Sequence, residues 1–193
     1  MKSNKSLFIL LGVLILVASL YRVWDDRPLG FAPQIAMAIF AGAVIKDKRW
    51  AFILPLLSMF LSDILYQLLY LSGLSEIPGF YEGQVLNYIL FGSLVSLGFL
   101  IKRINWLNVV AVSVLAPTVY FLISNFSVWI GGGGYFRPKT WEGLMMSFND
   151  GLPFYRNSLI ATLIFSAILF GSYYLLIRYT LNRREIAVIN QQS

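Results

Sequence analysis

The chain has neither cysteine nor histidine among its 193 residues. Without cysteine there are no disulfides, thiolate metal sites or thiol nucleophiles, and without histidine the commonest metal ligand and the usual general base near neutral pH are missing. Charge is scarce too, at 12% of residues, where a soluble domain carries about a quarter. No GxxxxGK[ST] run occurs, so no phosphate-cradling loop is encoded. These absences leave little room for enzyme chemistry, and no metal or cofactor is expected. Apolar residues fill the space instead, at 58% of the chain. That composition predicts an all-α integral membrane protein in a single domain, its surface solvated by lipid.

Crossing about 30 Å of hydrocarbon as helix takes roughly 17 to 25 mostly apolar residues. Five segments meet that length: Leu7 to Val23, Trp50 to Leu71, Val85 to Ile101, Trp106 to Ile130 and Ser158 to Tyr179. A shorter one, Gly30 to Ile45, has no charge and stops at Lys46-Asp47-Lys48-Arg49. Counting it makes six spans. Alternating the connections then gathers Lys2, Lys5, Lys46, Lys48, Arg49, Lys102, Arg103, Arg178, Arg183 and Arg184 at one end, ten of the fifteen basic residues. By the positive-inside rule that end is cytoplasmic, and so are both termini, in the cytoplasmic membrane of a bacterium. Because topology alone explains this pattern of charge, nucleic-acid binding is not indicated. A cleaved signal peptide is the competing reading of the first span, though Val17-Ala18-Ser19 is a poor cleavage site.

Polar groups are expensive in hydrocarbon, so their spacing is informative. Asp63, Tyr66, Gln67 and Tyr70 recur at i, i+3, i+4 and i+7, a single stripe on the third span. Asp63 is the only carboxylate within a span, about 20 Å from Trp50 and therefore in the outer half. Lining a ligand pocket and locking the bundle through an ion pair both fit it, with Arg156 at the start of the sixth span as the expected ionic partner. Asn87 and Tyr88, Thr118 and Asn125, and Arg156 and Asn157 add hydrogen-bonding groups at the same outer level. Ser158, Thr162 and Ser166 recur at i+4 and read as packing groups. The small residues from Ala32 to Ala43 suit either packing within the chain or docking of another membrane subunit.

The connection over 131–157 is long for a plain helix linker. It opens on Gly131-Gly132-Gly133-Gly134, read as a hinge, and Thr140 can cap a short amphipathic helix from Trp141 to Phe148. A mobile aromatic lid and a helix lying in the membrane interface are both compatible with it.

Ser124-Asn125-Phe126-Ser127-Val128-Trp129, Pro138-Lys139-Thr140-Trp141-Glu142-Gly143-Leu144 and Leu152-Pro153-Phe154-Tyr155-Arg156-Asn157-Ser158-Leu159, together with Pro33 and the run from Pro55 to Asp63, resemble an uncharacterised bacterial family of six-helix membrane proteins assigned to transport. That family in turn resembles the substrate-binding S components of energy-coupling-factor (ECF) vitamin transporters. The resemblance implies an outward-facing pocket walled by the outer ends of helices four to six. Its lining would include Trp24, Asp25, Asn87, Asn125, Trp129, Tyr135, Arg137, Trp141, Arg156 and Asn157, beside the Asp63, Tyr66 and Gln67 stripe. It also implies a vitamin or related nutrient as substrate and a separate ATPase-driven module, for which Ala32 to Ala43 is the candidate docking face. A solitary transporter is the variant without that module. A non-transporting scaffold subunit of the same fold is the alternative from another class.

Overall fold

The computed structural model describes residues 5–24 and 26–192, with side chains for 12, 13, 15–24 and 26–179. Helix is the only regular element among them, in six pieces: α1 (Lys5–Arg22), α2 (Gln34–Val44), α3 (Lys48–Leu71), α4 (Gln84–Gly98), α5 (Trp106–Gly131) and α6 (Trp141–Gln192). Three of these, α3, α5 and the Trp141–Tyr179 part of α6, are long and apolar enough to cross a membrane. The chain is therefore a helical membrane protein, and its many exposed Leu, Ile, Val and Phe side chains suit a lipid surround. The other helices with described side chains throughout, α2 and α4, are shorter. At the helical rise α2 covers only about 17 Å and α4 about 22 Å.

Local chemistry sets several helix ends. Asp47 caps α3 by accepting from the Arg49 amide at 2.9 Å. Asn105 caps α5 in the same way, accepting from Asn108 N at 2.8 Å; both are side-chain oxygens meeting amides that the first turn leaves without partners. Gly132 ends α5 in the left-handed conformation, at φ 75°. Gly133 N then donates to Val128 O at 3.0 Å, closing off a helix-terminal carbonyl. The glycine run thus begins as a helix stop, a use the hinge reading does not include.

α2 is the centre of the bundle. Gln34 through Gly42 are all buried, and α2 packs on α3, α4, α5 and α6. Its close crossing with α4 depends on two glycines: a Cβ on Gly42 would strike the Val95 carbonyl, and one on Gly98 would strike the Ile39 carbonyl. Most of the Ala32–Ala43 stretch is consumed this way, in the packing within the chain that is one of its two expected uses. Small residues at this density let backbones meet inside the chain, and none of Ala36, Ala38, Ala41 or Gly42 keeps a free face.

A correction concerns 131–157. Helix begins at Trp141, with Gly143 N donating to Thr140 Oγ1 at 3.2 Å, and runs on through Pro153 without ending at Phe148. Only residues 132–140 remain as loop. The reason lies on a face that the amphipathic reading leaves out. Gly143, Ser147 and Gly151 recur at i+4 and are buried; Gly143 lies against the Pro138 carbonyl, and at the other two the small size lets α6 lie directly on α5. Ser147 Oγ donates to Asn125 O at 3.3 Å, and a Cβ on Gly151 would collide with the Asn125 side chain. Trp141, by contrast, is 70% exposed.

Lys48 Nζ sits 5.3 Å from the centre of the Phe99 ring, which brings the start of α3 and the end of α4 together. This is the basic end of the bundle; Arg22, Asp63 and the α5–α6 loop lie toward the far end.

Candidate functional site

Two polar regions occupy the far half of the bundle. The first is built on α3. Asp63 is 2% exposed, and its Oδ1 accepts from Arg22 Nη1 at 2.5 Å. Its Oδ2 accepts from Gln84 Nε2 at 2.7 Å and from the Tyr88 hydroxyl at 2.6 Å. Arg22 also donates to Ser62 Oγ at 2.5 Å, and Tyr66 donates to the Arg22 carbonyl at 2.6 Å. Gln67 Oε1 accepts from the amides of Gly79 and Phe80, at 3.1 and 3.3 Å. Gly79 itself lies so close to α3 that a Cβ would strike the Asp63 carbonyl.

The Asp63–Tyr66–Gln67 stripe therefore faces α1, α4 and the α3–α4 connection. Its ionic partner is Arg22 and not Arg156, which is exposed. Position explains the exchange: α1 runs beside α3 in contact with it, Ser19 Oγ donating to Ser58 O at 2.9 Å, so Arg22 reaches the level of Asp63. With both carboxylate oxygens satisfied, Asp63 has little capacity left for a ligand.

The second region surrounds the far half of α5. A cavity of about 670 Å³ lies between the start of α4 and the end of α5, lined by Tyr81, Glu82, Asn87, Tyr120, Ser124 and Phe136 among others. Asn87 is its pivot: its Oδ1 accepts from the Tyr120 hydroxyl at 2.7 Å and its Nδ2 donates to the Tyr81 hydroxyl at 2.9 Å. Phe136 has φ 52°, the only positive φ outside glycine among the described residues. A bulky side chain held there signals local strain at a candidate site. Two smaller cavities adjoin the first through shared residues: one of about 280 Å³ includes Tyr120, Ser124, Asn125 and Tyr155, and one of about 140 Å³ includes Asn125, Trp129, Tyr135 and Arg137.

The loop over them is tied down. Arg137 forms a bidentate pair with Asp150, at 2.8 and 2.9 Å. This charge-assisted bond raises the guanidinium above its ordinary pKa. Trp129 Nε1 donates to Pro138 O at 2.8 Å, and Lys139 Nζ donates to the Trp129 carbonyl.

Of the residues expected to line one pocket, Asn87, Asn125, Trp129, Tyr135 and Arg137 do line these three cavities. Asp63, Tyr66 and Gln67 belong to the buried network instead. Trp24 is exposed beside Tyr21, Trp141 is exposed, and Asn157 Nδ2 donates to Leu29 O at 2.8 Å, fastening the first connection. None of these three, nor Arg156, lines a described cavity around α5. Asp25 falls outside the described residues. Sequence reasoning misses Arg22, Gln84 and Tyr120. Gln84 and Tyr88 nevertheless stand at i+4 with Asn87 in the same turn, a polar cluster legible as helix spacing.

The architecture is that of a polytopic α-helical membrane protein with a cavity at one end whose mainly apolar wall carries a few polar groups. A family model matches residues 2–185, and the chain belongs to that family, a family of unknown function (DUF6580). No curated protein and no solved structure matches the chain.

Proposed function

We propose that this protein binds a small molecule in the α4–α5 cavity and serves its uptake across the bacterial cytoplasmic membrane, as a substrate-binding subunit or a solitary transporter. The observation that carries the reading is the Tyr81–Asn87–Tyr120 chain of hydrogen bonds in the wall of a cavity of about 670 Å³. Small-molecule sites have about this size, apolar walls and a few converging polar groups. In this reading all six helices cross the bilayer, both termini are cytoplasmic, and the cavity opens outward. The ten basic residues at one end support that orientation. Resemblance to ECF S components makes a vitamin or related nutrient the substrate, and the loop 132–140, with Phe136, the cover over the cavity.

Mass spectrometry of small molecules co-purifying with gently extracted protein tests this. One compound at a near one-to-one ratio, lost when Asn87→Leu removes the pivot, is the expected result. Repeated absence of any stoichiometric compound would favour the non-transporting scaffold.

A further inference from the structure

A separate groove of about 500 Å³ lies between α5 and α6 near the basic end, remote from the cavities around the far half of α5. Its walls are apolar, Trp106, Val110, Leu163 and Phe170 among them, but Ser113 and Ser166 also line it. Both serines are buried to 1% exposure or less, and both hydroxyls lack a hydrogen-bond partner. Buried polar atoms are rarely left so, and the two form a polar floor beneath the apolar walls of the groove. At the mouth, Lys102 and Arg103 immediately precede the lining residues Ile104, Asn105 and Trp106, are exposed, and form no ion pair among the described residues. Along α6 the i+4 stripe of Ser166, Phe170 and Tyr174 continues to Arg178, also exposed.

We infer that this groove holds an anionic phospholipid of the adjacent leaflet, one acyl chain against Val110 and Leu163 and the phosphate at Lys102 and Arg103. The spacing suits it. Carried along the antiparallel pair, the register of the Thr118–Tyr155 contact puts Ser166 beside Leu107. Leu107 opens the first turn of α5, a few residues after Arg103, so Ser166 lies just inside the basic end of the groove. Room for the headgroup exists beside Gly171, where an added Cβ would meet nothing within 4 Å. Basic pockets between helices at a membrane face are known devices for holding such headgroups.

Native mass spectrometry and thermal melting of the purified full chain, titrated with phosphatidylglycerol, phosphatidylcholine or inorganic phosphate, test the assignment. Phosphatidylglycerol should bind and raise the melting temperature, phosphatidylcholine should bind at least several-fold more weakly, and inorganic phosphate should do neither. Lys102→Gln with Arg103→Gln, both on the surface, should weaken phosphatidylglycerol about fivefold per charge removed. Gly171→Leu should displace the lipid by filling the groove. Equal retention of both lipids by the parent, or full retention by the double Gln variant, would overturn the proposal. So would a dimer of the parent that Gly171→Leu dissolves, since that would give the groove to a helix of a second copy.

Discussion

The two polar regions at the far half of the bundle differ in what they leave unused. Around Asp63, each carboxylate oxygen is taken by a side chain of the protein, and the surrounding loop backbone is pressed onto α3. Around Tyr120 and Asn87 the polar groups form a short chain on a cavity wall, with open volume in front of them. Intramembrane charge is by default a functional signal. Here the charged cluster has the marks of a structural lock, and the neutral one has the marks of a binding surface. The difference teaches that satisfaction of hydrogen-bonding capacity discriminates better than charge does.

Asp63 itself should be the most sensitive point. Asp63→Asn strands Arg22, of which only 18% is exposed. Stability should then fall by about 3–5 kcal/mol, visible as a large drop in melting temperature. Replacing both, as Arg22→Met with Asp63→Leu, should cost less than the sum of the single changes. Additive losses in melting would remove the pairing. Gly79→Ala comes next, since the new methyl must push the α3–α4 connection off the Asp63 carbonyl. A loss of about 1–3 kcal/mol is expected for such overpacking, read from the same melting curves.

On the other side of the comparison, Tyr120→Phe removes one hydroxyl from the cavity wall. Ligand affinity should weaken by about 0.5–1.5 kcal/mol in isothermal titration with the co-purified compound. Melting of the unliganded protein should change far less than in the Asp63 variant. The smallest effect on stability belongs to Arg137→Gln: its pair with Asp150 is partly exposed, and solvent-screened pairs add little. If the loop is a cover, the variant should release ligand faster with almost unchanged melting, as stopped-flow exchange would record.

Much of the helical layout can be read in the sequence. Hydropathy locates α3 and α5 to within a few residues, because a lipid solvent demands long uninterrupted apolar helices and tolerates little else. The start of α6 is not legible by that rule. Capping and spacing read helix over Trp141 to Phe148, but the stretch with Asn149, Asp150 and Pro153 reads as loop; α6 runs on through it where Ser147 and Gly151 fit against Asn125 of α5. The polar stripe on α3 is visible as spacing, but spacing does not say what faces it. Arg22 lies 41 positions away and reaches Asp63 only because α1 and α3 run side by side. The cavity residues Asn87 and Asn125 stand out as outer-level polar groups, whereas Tyr120 is hidden among apolar neighbours.

The central claim, that the fold is locked at Asp63 while the ligand sits beside Asn87 and Tyr120, is tested most directly by native mass spectrometry of the folded fraction of two variants. Ser124→Trp places a large ring in the α4–α5 cavity, and Asp63→Asn cuts the buried pair. The account predicts that Ser124→Trp loses the bound small molecule while melting near the parent, and that folded Asp63→Asn keeps it at a near one-to-one ratio. A bound compound retained by Ser124→Trp and stripped from folded Asp63→Asn would contradict it.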